Sequence, residues 1–394
     1  MDGQKKVKVA VVGLGNMGAA HVQMIFNAAD AEIVGVCDID KDKADRVASG
    51  CNAPAYYCHT DLFENSGLEA VIIAVPHYDH EPIAIEAFSR GIHVMCEKPI
   101  TVHVNGAVNM IKAYEESKNK YPDLIFGIMF QERTSPYYQK IKDVIDGGEL
   151  GRLTRVTWIN TAWFRSQAYY DSGGWRATWA GEGGGILTNQ CPHNLDMYQW
   201  LFGMPATVDG FAHIGKYHDI EVEDEVTAYF EHESGLIGHF IVSTGECPGV
   251  NRLEIVGENG TLLCQHGTLT FFRNRMSMLK YSRETDSGFS PVENWETKIP
   301  YNQGQTAGHS VVNGRFFKSI LSGQKDLTAF GEEGLNQVML ANAIMLSSFD
   351  GRRVALPLDG QPYEEKLADL IKKSKYVKSS GAKESSDFES SLTR

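Results

Sequence analysis

A glycine motif near the start of the chain constrains the fold more than any other feature. The run from Val7 to Val12 is short, apolar and rich in β-branched residues, which predicts a strand buried on both faces of a parallel sheet. The run ends in a glycine motif whose spacing is typical of a turn that lets the backbone approach a pyrophosphate. The next helix, expected over 16–29, would direct its N–H groups at the phosphates. An ordinary strand–helix turn is the alternative interpretation. The motif has the spacing G-x-G-x-x-G and consists of Gly13, Leu14, Gly15, Asn16, Met17 and Gly18.

An aspartate at the end of the next expected strand, 32–37, strengthens this interpretation. Asp38 places a carboxylate where it can accept hydrogen bonds from the 2′-hydroxyl of a ribose, and where it would repel a 2′-phosphate. The motif and Asp38 together predict a dinucleotide site that prefers NAD to NADP.

Composition excludes several classes of protein. The chain has 394 residues and a net charge of −13, which argues against general nucleic-acid binding because phosphate contacts need clustered lysine and arginine. No apolar run approaches the ~20 residues of a membrane span, and the first strand begins too early to leave room for a signal peptide. The seven cysteines include no C-x-x-C pair, which predicts reduced thiols and a cytoplasmic protein.

Strands and helices alternate over the first third of the chain. After Asp38, helices are expected over 41–49, 81–89 and 104–117, and strands over 54–57, 70–75, 92–96 and 124–129. This alternation predicts an α/β domain over residues 1–130, a Rossmann domain with a doubly wound parallel sheet. Ligands bind beyond the carboxyl ends of the strands in such sheets, which directs attention to segments 13–18, 76–80 and 97–101.

The pattern changes after residue 131. A helix is expected over 136–145, then strands over 153–161, 207–215, 225–231, 236–243 and 252–257, and a helix over 331–349. Several of these strands alternate apolar and polar residues, which predicts an α+β domain over 131–372 with a large, mostly antiparallel open sheet. The uncovered face of that sheet is a candidate subunit interface. The tail, 373–394, is rich in serine and lysine and is expected to be disordered.

The segment Glu97-Lys98-Pro99 carries the first candidate catalytic group. Lys98 follows a central strand of the expected parallel sheet, where the reacting end of a dinucleotide would lie. A lysine that is partly desolvated in a cleft has a lowered pKa and can take part in removing the proton of a hydroxyl group. A surface lysine that contacts a helix end is the alternative interpretation.

A second motif runs from Gly181 to Asp196 and includes three consecutive glycines. Asn189 and His193 lie four residues apart, so on a helix they would share one face. Histidine can accept a proton near neutral pH, and asparagine can bind a hydroxyl group without carrying charge. A histidine that is satisfied in the core or at the surface is the alternative for His193.

These motifs together resemble those of the glucose-fructose oxidoreductase, inositol dehydrogenase and rhizopine-catabolism (Gfo/Idh/MocA) family. The segments GLGNMG, AVPHYDH, EKPIT and GGGILTNQCPHNLD follow the family's order, and the resemblance extends from Val7 to about Leu356. It implies a Rossmann domain, an α+β domain with a large open sheet, and homodimers or homotetramers built through that sheet. It also implies Lys98 and His193 as the catalytic pair. The predicted cofactor site comprises Gly13, Leu14, Gly15, Asn16, Met17, Gly18, Asp38, Val75, Pro76, His80, Glu97 and Lys98.

One position departs from the family's commonest pattern, since Asn189 stands where many members have an aspartate. A proton relay through that aspartate is therefore not expected, and Asn189 is assigned a positioning role in catalysis. The asparagine form resembles the branch that oxidises pyranose sugars and glycosides, often at C3. The aromatic stretch 163–179 suits a sugar, because tryptophan and tyrosine rings can stack on a pyranose and arginine can donate to its hydroxyls; a packed loop is the alternative. The predicted substrate site comprises Lys98, Arg165, Tyr169, Trp175, Arg176, Asn189 and His193.

The sequence therefore predicts an NAD-dependent oxidoreductase that oxidises a secondary hydroxyl, expected at C3, of a pyranose sugar or glycoside. Three alternatives stay open: an inositol 2-dehydrogenase, a glycosidase or lyase that oxidises its substrate transiently with bound NAD, and a non-catalytic sugar or nucleotide sensor. No metal is predicted, because the possible ligands match no known zinc spacing. Those possible ligands are His77, His80, His93 and Cys96.

Overall fold

The computed structural model describes residues 5–376, and its first sheet has six parallel strands in the order β3-β2-β1-β4-β5-β6. This is the strand order of a Rossmann fold, so the prediction of a doubly wound parallel sheet is confirmed. The strands are β1 (Val7–Val12), β2 (Ala31–Cys37), β3 (Ala55–Tyr56), β4 (Ala70–Ile73), β5 (His93–Cys96) and β6 (Phe126–Ile128). The helices between them are α1 (Asn16–Phe26), α2 (Lys41–Cys51), α3 (His59–Asn65), α4 (His80–Ser89) and α5 (Val104–Ser117).

The strands of this sheet end earlier than their apolar runs. β4 ends at Ile73, although the run continues to Val75, because the chain turns there into a short 3₁₀ helix, His77–Asp79. The carbonyl group of Val75 consequently leaves the sheet and accepts a hydrogen bond from a side chain, described below. Such turns at the carboxyl ends of the strands expose the backbone at the edge where ligands bind.

The second sheet has nine strands in the order β14-β13-β12-β11-β7-β10-β9-β8-β15. Its neighbouring strands pair in antiparallel fashion except for β7 and β10, which run parallel, so the prediction of a mostly antiparallel sheet is confirmed. The strands are β7 (Leu153–Asn160), β8 (Thr207–Ile214), β9 (Glu223–Glu231), β10 (Ile237–Ser243), β11 (Asn251–Gly257), β12 (Gly260–Gln265), β13 (Thr268–Asn274), β14 (Asn294–Ile299) and β15 (Val354–Ala355).

Helices cover one face of the second sheet. The long helix α11 (Gly334–Asp350) lies so close to β8 that a Cβ atom at Gly210 would be 2.2 Å from the carbonyl oxygen of Ile344. Helix α10 (His309–Ser322) instead packs on the first sheet, where Phe316 and Phe317 share a core with Val9 and β2. The helices of this part are α6 (Pro136–Asp146), α7 (Gln167–Asp171), α8 (Pro192–Phe202), α9 (Met278–Glu284), α10 (His309–Ser322), α11 (Gly334–Asp350) and α12 (Gln361–Lys373).

The other face of the second sheet follows the alternation expected from the sequence. Along β9, Val226, Ala228 and Phe230 are buried. The alternate residues Glu225, Thr227 and Tyr229 face away from the helices. On β8, Phe211 is 60% exposed on the same outer face. Assembly of subunits through this face stays a prediction, as do the domain boundaries near residues 130 and 372.

Three other expectations concern membranes, disulfides and the tail. Within residues 5–376, no helix has the length and the apolar character needed to cross a membrane. All seven cysteines lie in that range, and none of them forms a disulfide. Ser374 and Tyr376, just after α12, hydrogen-bond the Glu221 side chain and the Asp219 carbonyl group. The rest of the expected tail, 377–394, lies outside the described residues.

Candidate active site

The glycine motif forms the turn between β1 and α1. Gly13 has a positive φ of 89°, and a Cβ atom at Gly18 would be 1.7 Å from the carbonyl oxygen of Gly13, so only glycine fits at these two positions. A Cβ atom at Gly15 would meet no atom within 4 Å, so the turn is open on the side where α1 begins. The backbone N–H groups of Asn16 and Met17 lie in the first turn of α1, as a pyrophosphate site requires.

Asp38 lies directly beside this turn. One of its carboxylate oxygens accepts a hydrogen bond from the N–H group of Leu14 at 2.8 Å, and the other accepts from the N–H group of Asp40 at 2.9 Å. The carboxylate is therefore held at the end of β2, next to the place expected for the ribose. The open glycine turn and the fixed carboxylate fit NAD.

Glu97 is a buried carboxylate between two histidines. His21 on α1 donates from Nε2 to Glu97 at 2.8 Å, and Nε2 of His309 on α10 lies 3.9 Å from the same oxygen. Burial by itself raises the pKa of Glu97, but the hydrogen bond from His21 and the charges of His21, His309 and Lys98 lower it to about 2. Glu97 is therefore ionised at neutral pH. The Asn313 amide donates to Nδ1 of His21 at 3.1 Å, which places the ring proton of His21 on Nε2.

His80 bridges the chain segments that follow β4 and β5. Its Nδ1 lies 2.8 Å from the Pro99 carbonyl oxygen, and its Nε2 lies 3.0 Å from the Val75 carbonyl oxygen. Both oxygens can only accept, so a neutral ring donates to one of them at a time, through whichever nitrogen carries the proton. Burial lowers the pKa of His80, and the two carbonyl oxygens oppose that effect. His80 thereby holds the two segments of the cofactor edge together.

The histidines of this region do not form a metal site. His77 donates from Nδ1 to the Glu182 carbonyl oxygen at 2.9 Å, and both nitrogens of His80 are used on carbonyl groups. In the part of the chain that the structure describes, no three His, Cys, Asp or Glu side chains are arranged to hold a metal ion. These histidines therefore act on the backbone.

Lys98 lies where the sequence predicts it, at the end of β5 and close to the second domain. Its ammonium group donates to the carbonyl oxygen of Asn189 at 2.9 Å. Burial lowers the pKa of Lys98, the neighbouring Glu97 carboxylate raises it, and Arg176 lowers it. Lys98 is thus a partly desolvated donor at the junction of the two sheets.

Asn189 and His193 do not share a helix, so that prediction is wrong. Helix α8 begins at Pro192, because proline has no N–H group to continue a helix backwards and is favoured at the first helical position. Asn189 lies in the turn before the helix, and its side-chain amide donates to the Glu182 carboxylate. The backbone of Asn189 contacts Lys98, and its side chain orders the turn.

His193 is the second residue of α8 and contacts Gln131, which follows β6. The Gln131 amide nitrogen lies 2.9 Å from Nε2 of His193, and because an amide nitrogen only donates, Nε2 accepts in this arrangement. Two buried atoms, Nδ1 of His193 and Oε1 of Gln131, have no hydrogen-bond partner among residues 5–376. Burial and the charge of Lys98 lower the pKa of His193 well below its usual range, so the ring is neutral at neutral pH.

Arg133 fixes α8 to the first sheet. Its guanidinium group donates to both carboxylate oxygens of Asp196, at 2.9 and 2.6 Å, and to Glu333 at 2.5 Å. Arg133 and Asp196 are almost completely buried. Asp196 lies one turn beyond His193, so this ion pair determines where His193 stands relative to Lys98.

Of the three consecutive glycines, Gly185 permits the close approach of β9. The buried Glu223 carboxylate accepts from the N–H groups of Gly185 and Leu187 at 2.9 and 3.0 Å. A Cβ atom at Gly185 would be 2.0 Å from the carbonyl oxygen of Glu223. Burial raises the pKa of Glu223 to about 7, although the two backbone N–H groups lower it. Glu223 therefore shapes the turn that leads to Asn189.

The aromatic stretch places two arginines against aromatic rings. The Arg176 guanidinium carbon lies 4.6 Å from the Tyr169 ring centroid and 4.9 Å from the Trp175 ring centroid. Arg176 donates to the Tyr169 hydroxyl at 2.8 Å, and Gln190 donates to the same hydroxyl at 3.0 Å. Arg165 lies 5.1 Å from the Tyr169 ring centroid. The structure thus brings the four predicted substrate residues of this loop together.

Several polar residues of this site were not predicted from the sequence. Gln131 and Arg133 lie shortly after the strand at the edge of the first sheet, and that position could have identified them. Glu182 and Asp196 lie within the 181–196 motif, and Glu182 contacts Asn189 only seven residues later. The others carry no local signal, because each is a single polar residue whose partner is distant in the chain. They are His21, Glu223, His309 and Asn313.

The position of Asp38 leads to a prediction about the cofactor. NAD is expected to bind about tenfold or more tightly than NADP, because the carboxylate repels a 2′-phosphate. Asp38→Asn keeps an oxygen that can accept a hydrogen bond from the Leu14 N–H group but removes the charge, so it should reduce the difference in affinity between NAD and NADP. Asp38→Ala should reduce this difference further. Titration calorimetry with both nucleotides measures the affinities. Equal affinities in the unmodified protein would contradict the assignment.

Comparison with known proteins agrees with the fold. Residues 7–122 match the oxidoreductase family with an NAD-binding Rossmann fold, and residues 138–263 match the GFO/IDH/MocA C-terminal domain. An inositol 2-dehydrogenase of Corynebacterium glutamicum (strain R) is 28% identical over 202 residues, which are 50% of this chain and 55% of the relative. The chain thus spans little more than half the length of that curated relative.

Two solved structures have the same fold. The WlbA dehydrogenase of Chromobacterium violaceum, in complex with NADH and UDP-GlcNAcA, superposes with a TM-score of 0.76 at 28% identity, over 90% of this chain and 97% of that one. Levoglucosan dehydrogenase, in complex with NADH and levoglucosan, has a TM-score of 0.73 at 19% identity, over 90% and 100% of the two chains, and shows the fold alone. The two family matches together cover more than half of the chain. The protein therefore belongs to the GFO/IDH/MocA family of oxidoreductases, with an NAD-binding Rossmann domain.

Proposed function

We propose that the protein is an NAD-dependent dehydrogenase that oxidises a secondary hydroxyl group of a neutral sugar or polyol. One observation carries the proposal: several buried polar atoms on the segments that form the site have no hydrogen-bond partner within the described ranges. Buried polar groups in proteins are nearly always hydrogen-bonded, so these atoms indicate a ligand rich in groups that both donate and accept. The atoms are Oε1 of Gln131, Nε1 of Trp163, Oε1 of Gln190 and Nδ1 of His193.

The named relatives support a polyhydroxylated substrate. Inositol and levoglucosan, in the names of two of them, are uncharged rings with several hydroxyl groups. The aromatic loop supports a ring-shaped substrate, because Tyr169 and Trp175 offer faces for the C–H side of a pyranose. The asparagine at 189 favours the branch that oxidises pyranose sugars and glycosides, with C3 as the reacting carbon.

The residues divide the chemistry between them. NAD, when bound at the glycine turn, supplies the acceptor for the hydride. The Lys98 ammonium keeps one donor on the Asn189 carbonyl group and directs the others at the reacting oxygen, which lowers the pKa of the hydroxyl. His193 is neutral, and in the contact with the Gln131 amide nitrogen its ring proton lies on Nδ1. The reactive form carries that proton on Nε2, which donates it to the Gln131 amide oxygen after the amide has turned over, so that Nδ1 is free to accept the hydroxyl proton.

Substitution of the catalytic pair tests this assignment. Lys98→Met and His193→Ala are each expected to lower kcat by roughly 10²–10⁴-fold, the usual cost of removing a positioned acid–base group, while NAD still binds. Asn189→Ala should raise KM more than it lowers kcat, because its role is positioning. Lys318→Met, at an exposed lysine, is the matched control. Near-normal turnover in both catalytic variants would show that the reaction takes place elsewhere.

The contact between Gln131 and His193 leads to a prediction about pH. Oxidation requires neutral His193, so the rate falls as the pH drops through the pKa of that group, which burial keeps low. Gln131→Glu would place a carboxylate against Nε2, favour the protonated ring and raise the pKa. The acidic limb of the kcat/KM profile should therefore move up by roughly 1–3 pH units. The surface substitution Gln324→Glu adds the same charge and should leave the pH dependence of kcat/KM unchanged. If the acidic limb does not shift in Gln131→Glu, the proposed role of His193 is contradicted.

The fate of NAD separates net oxidation from transient oxidation followed by bond cleavage. With NAD and a panel of sugars, inositols and glycosides, we expect NADH to accumulate in proportion to the substrate oxidised, followed by its absorbance. Lys98→Met should abolish this signal. Cleavage of a glycoside without accumulation of NADH would instead identify a glycosidase or lyase, and binding of a sugar without either reaction would identify a sensor.

A further inference from the structure

A separate cavity of about 420 Å³ lies beside the candidate active site. It is bounded by α6, by the ends of β7 and β11, and by the turn between β12 and β13. Its volume falls within the range of roughly 300–1,000 Å³ that is usual for small-molecule sites. None of the residues assigned to cofactor or substrate lines it.

Aromatic rings form much of its wall. The Tyr137 ring meets the Tyr138 and Tyr301 rings edge-on, with centroids 5.3 and 5.4 Å apart, and Tyr138 lies 6.2 Å from Trp158. The Trp158 indole donates to the side chain of Asn251 at 3.1 Å, which fixes that amide at the cavity. Rigid aromatic faces with a fixed amide are surfaces that suit the C–H face and the hydroxyl groups of a sugar ring.

Glu132 gives the cavity an unused polar group. Its carboxyl group lines the cavity and forms no hydrogen bond or ion pair with any other residue of the described part of the chain. Burial raises the pKa of Glu132. Glu132 is half-buried, and a carboxyl group that lines a cavity without a protein partner can hydrogen-bond the hydroxyl groups of a ligand.

The charge of the lining excludes a phosphorylated ligand. Within residues 5–376 the lining includes no lysine or arginine, and its histidine, His266, is exposed to solvent. A diphosphate such as that of UDP-GlcNAcA, the ligand in the WlbA complex, would lie beside Glu132 without a counter-charge. The cavity therefore suits a neutral ring.

The cavity and the candidate active site share two chain segments. Glu132 directly follows Gln131, whose amide contacts His193, and Ala162 of the lining directly precedes Trp163 of the aromatic loop. The two places are therefore neighbours along the chain, which favours a ligand with two linked rings. The second ring would then be held by Glu132 and the tyrosines, away from the reacting carbon.

We propose that this cavity is an accessory subsite for the neutral, non-reacting sugar ring of a disaccharide or glycoside whose other ring is oxidised beside Lys98 and His193. The inference rests on the proposed function for the reacting ring. It narrows the substrate class from sugars in general to glycosides with a second uncharged ring.

Binding to the full chain saturated with NADH tests the subsite without requiring turnover. Titration calorimetry with glucose, maltose, cellobiose and UDP-glucose should give at least one disaccharide with a Kd about tenfold below that of glucose, and no such gain for UDP-glucose. Glu132→Gln and Tyr137→Leu should each reduce the gain in disaccharide affinity over glucose severalfold. Glu284→Gln, at an exposed carboxylate, should retain it.

The outcomes separate this inference from the proposed function. The subsite would be contradicted if glucose and both disaccharides bound with equal affinity, or if no disaccharide bound. It would also be contradicted if the gain in disaccharide affinity over glucose survived both cavity substitutions. UDP-glucose binding more tightly than the disaccharides, with Glu132→Gln strengthening it, would show a phosphate site instead. A disaccharide gain that the cavity variants lose, without any reduction of NAD by any of the sugars, would support the subsite and contradict the dehydrogenase.

Discussion

The buried ion pair between Arg133 and Asp196 is the interaction on which the candidate site depends, because it joins the two halves of that site. Arg133 follows the last strand of the parallel sheet, and Asp196 lies on α8, the helix that carries His193. Breaking a buried pair by removing one partner typically costs about 3–5 kcal/mol, since the other charge remains buried and uncompensated. The geometry between Lys98 and His193 is therefore maintained by charges that never touch the substrate.

Around that junction, burial and the charges of neighbouring residues together keep different groups in different charge states. Glu97 has a pKa of about 2 and stays ionised, because histidines and Lys98 surround it. His193 is neutral, because burial and the charge of Lys98 oppose its protonation. The anion of Glu97 offsets part of the cost of keeping an ammonium group in a partly buried position. A neutral acceptor and a cationic donor can consequently stand side by side at the pH of a cell.

The Rossmann half was predictable because its strands are largely apolar runs that end near glycine, proline or acidic residues. Ala70–Ile73 is buried throughout and Val7–Val12 is buried at every position except Lys8, so composition marks both strands. In the second sheet, β14 has no such pattern, since five of its six residues are exposed. The helix start at Pro192 was misjudged because the preceding glycines and asparagine form turns that depend on Glu223, a contact across 38 residues. His309 meets Glu97 only through the packing of α10, and no local pattern reveals that contact.

The order of strands in the second sheet has a consequence for how substrate preference can change. β7 leaves the sheet at Asn160, and its neighbours β10 and β11 come from much later in the chain, so the aromatic stretch 163–179 contributes no strand to the sheet. Insertions and substitutions in that stretch leave the register of the nine strands unchanged, whereas Gly185 further along is fixed by its contact with β9. The aromatic loop can therefore diversify while the scaffold stays constant, and a lineage of such proteins is free to acquire new sugars without having to find a new fold.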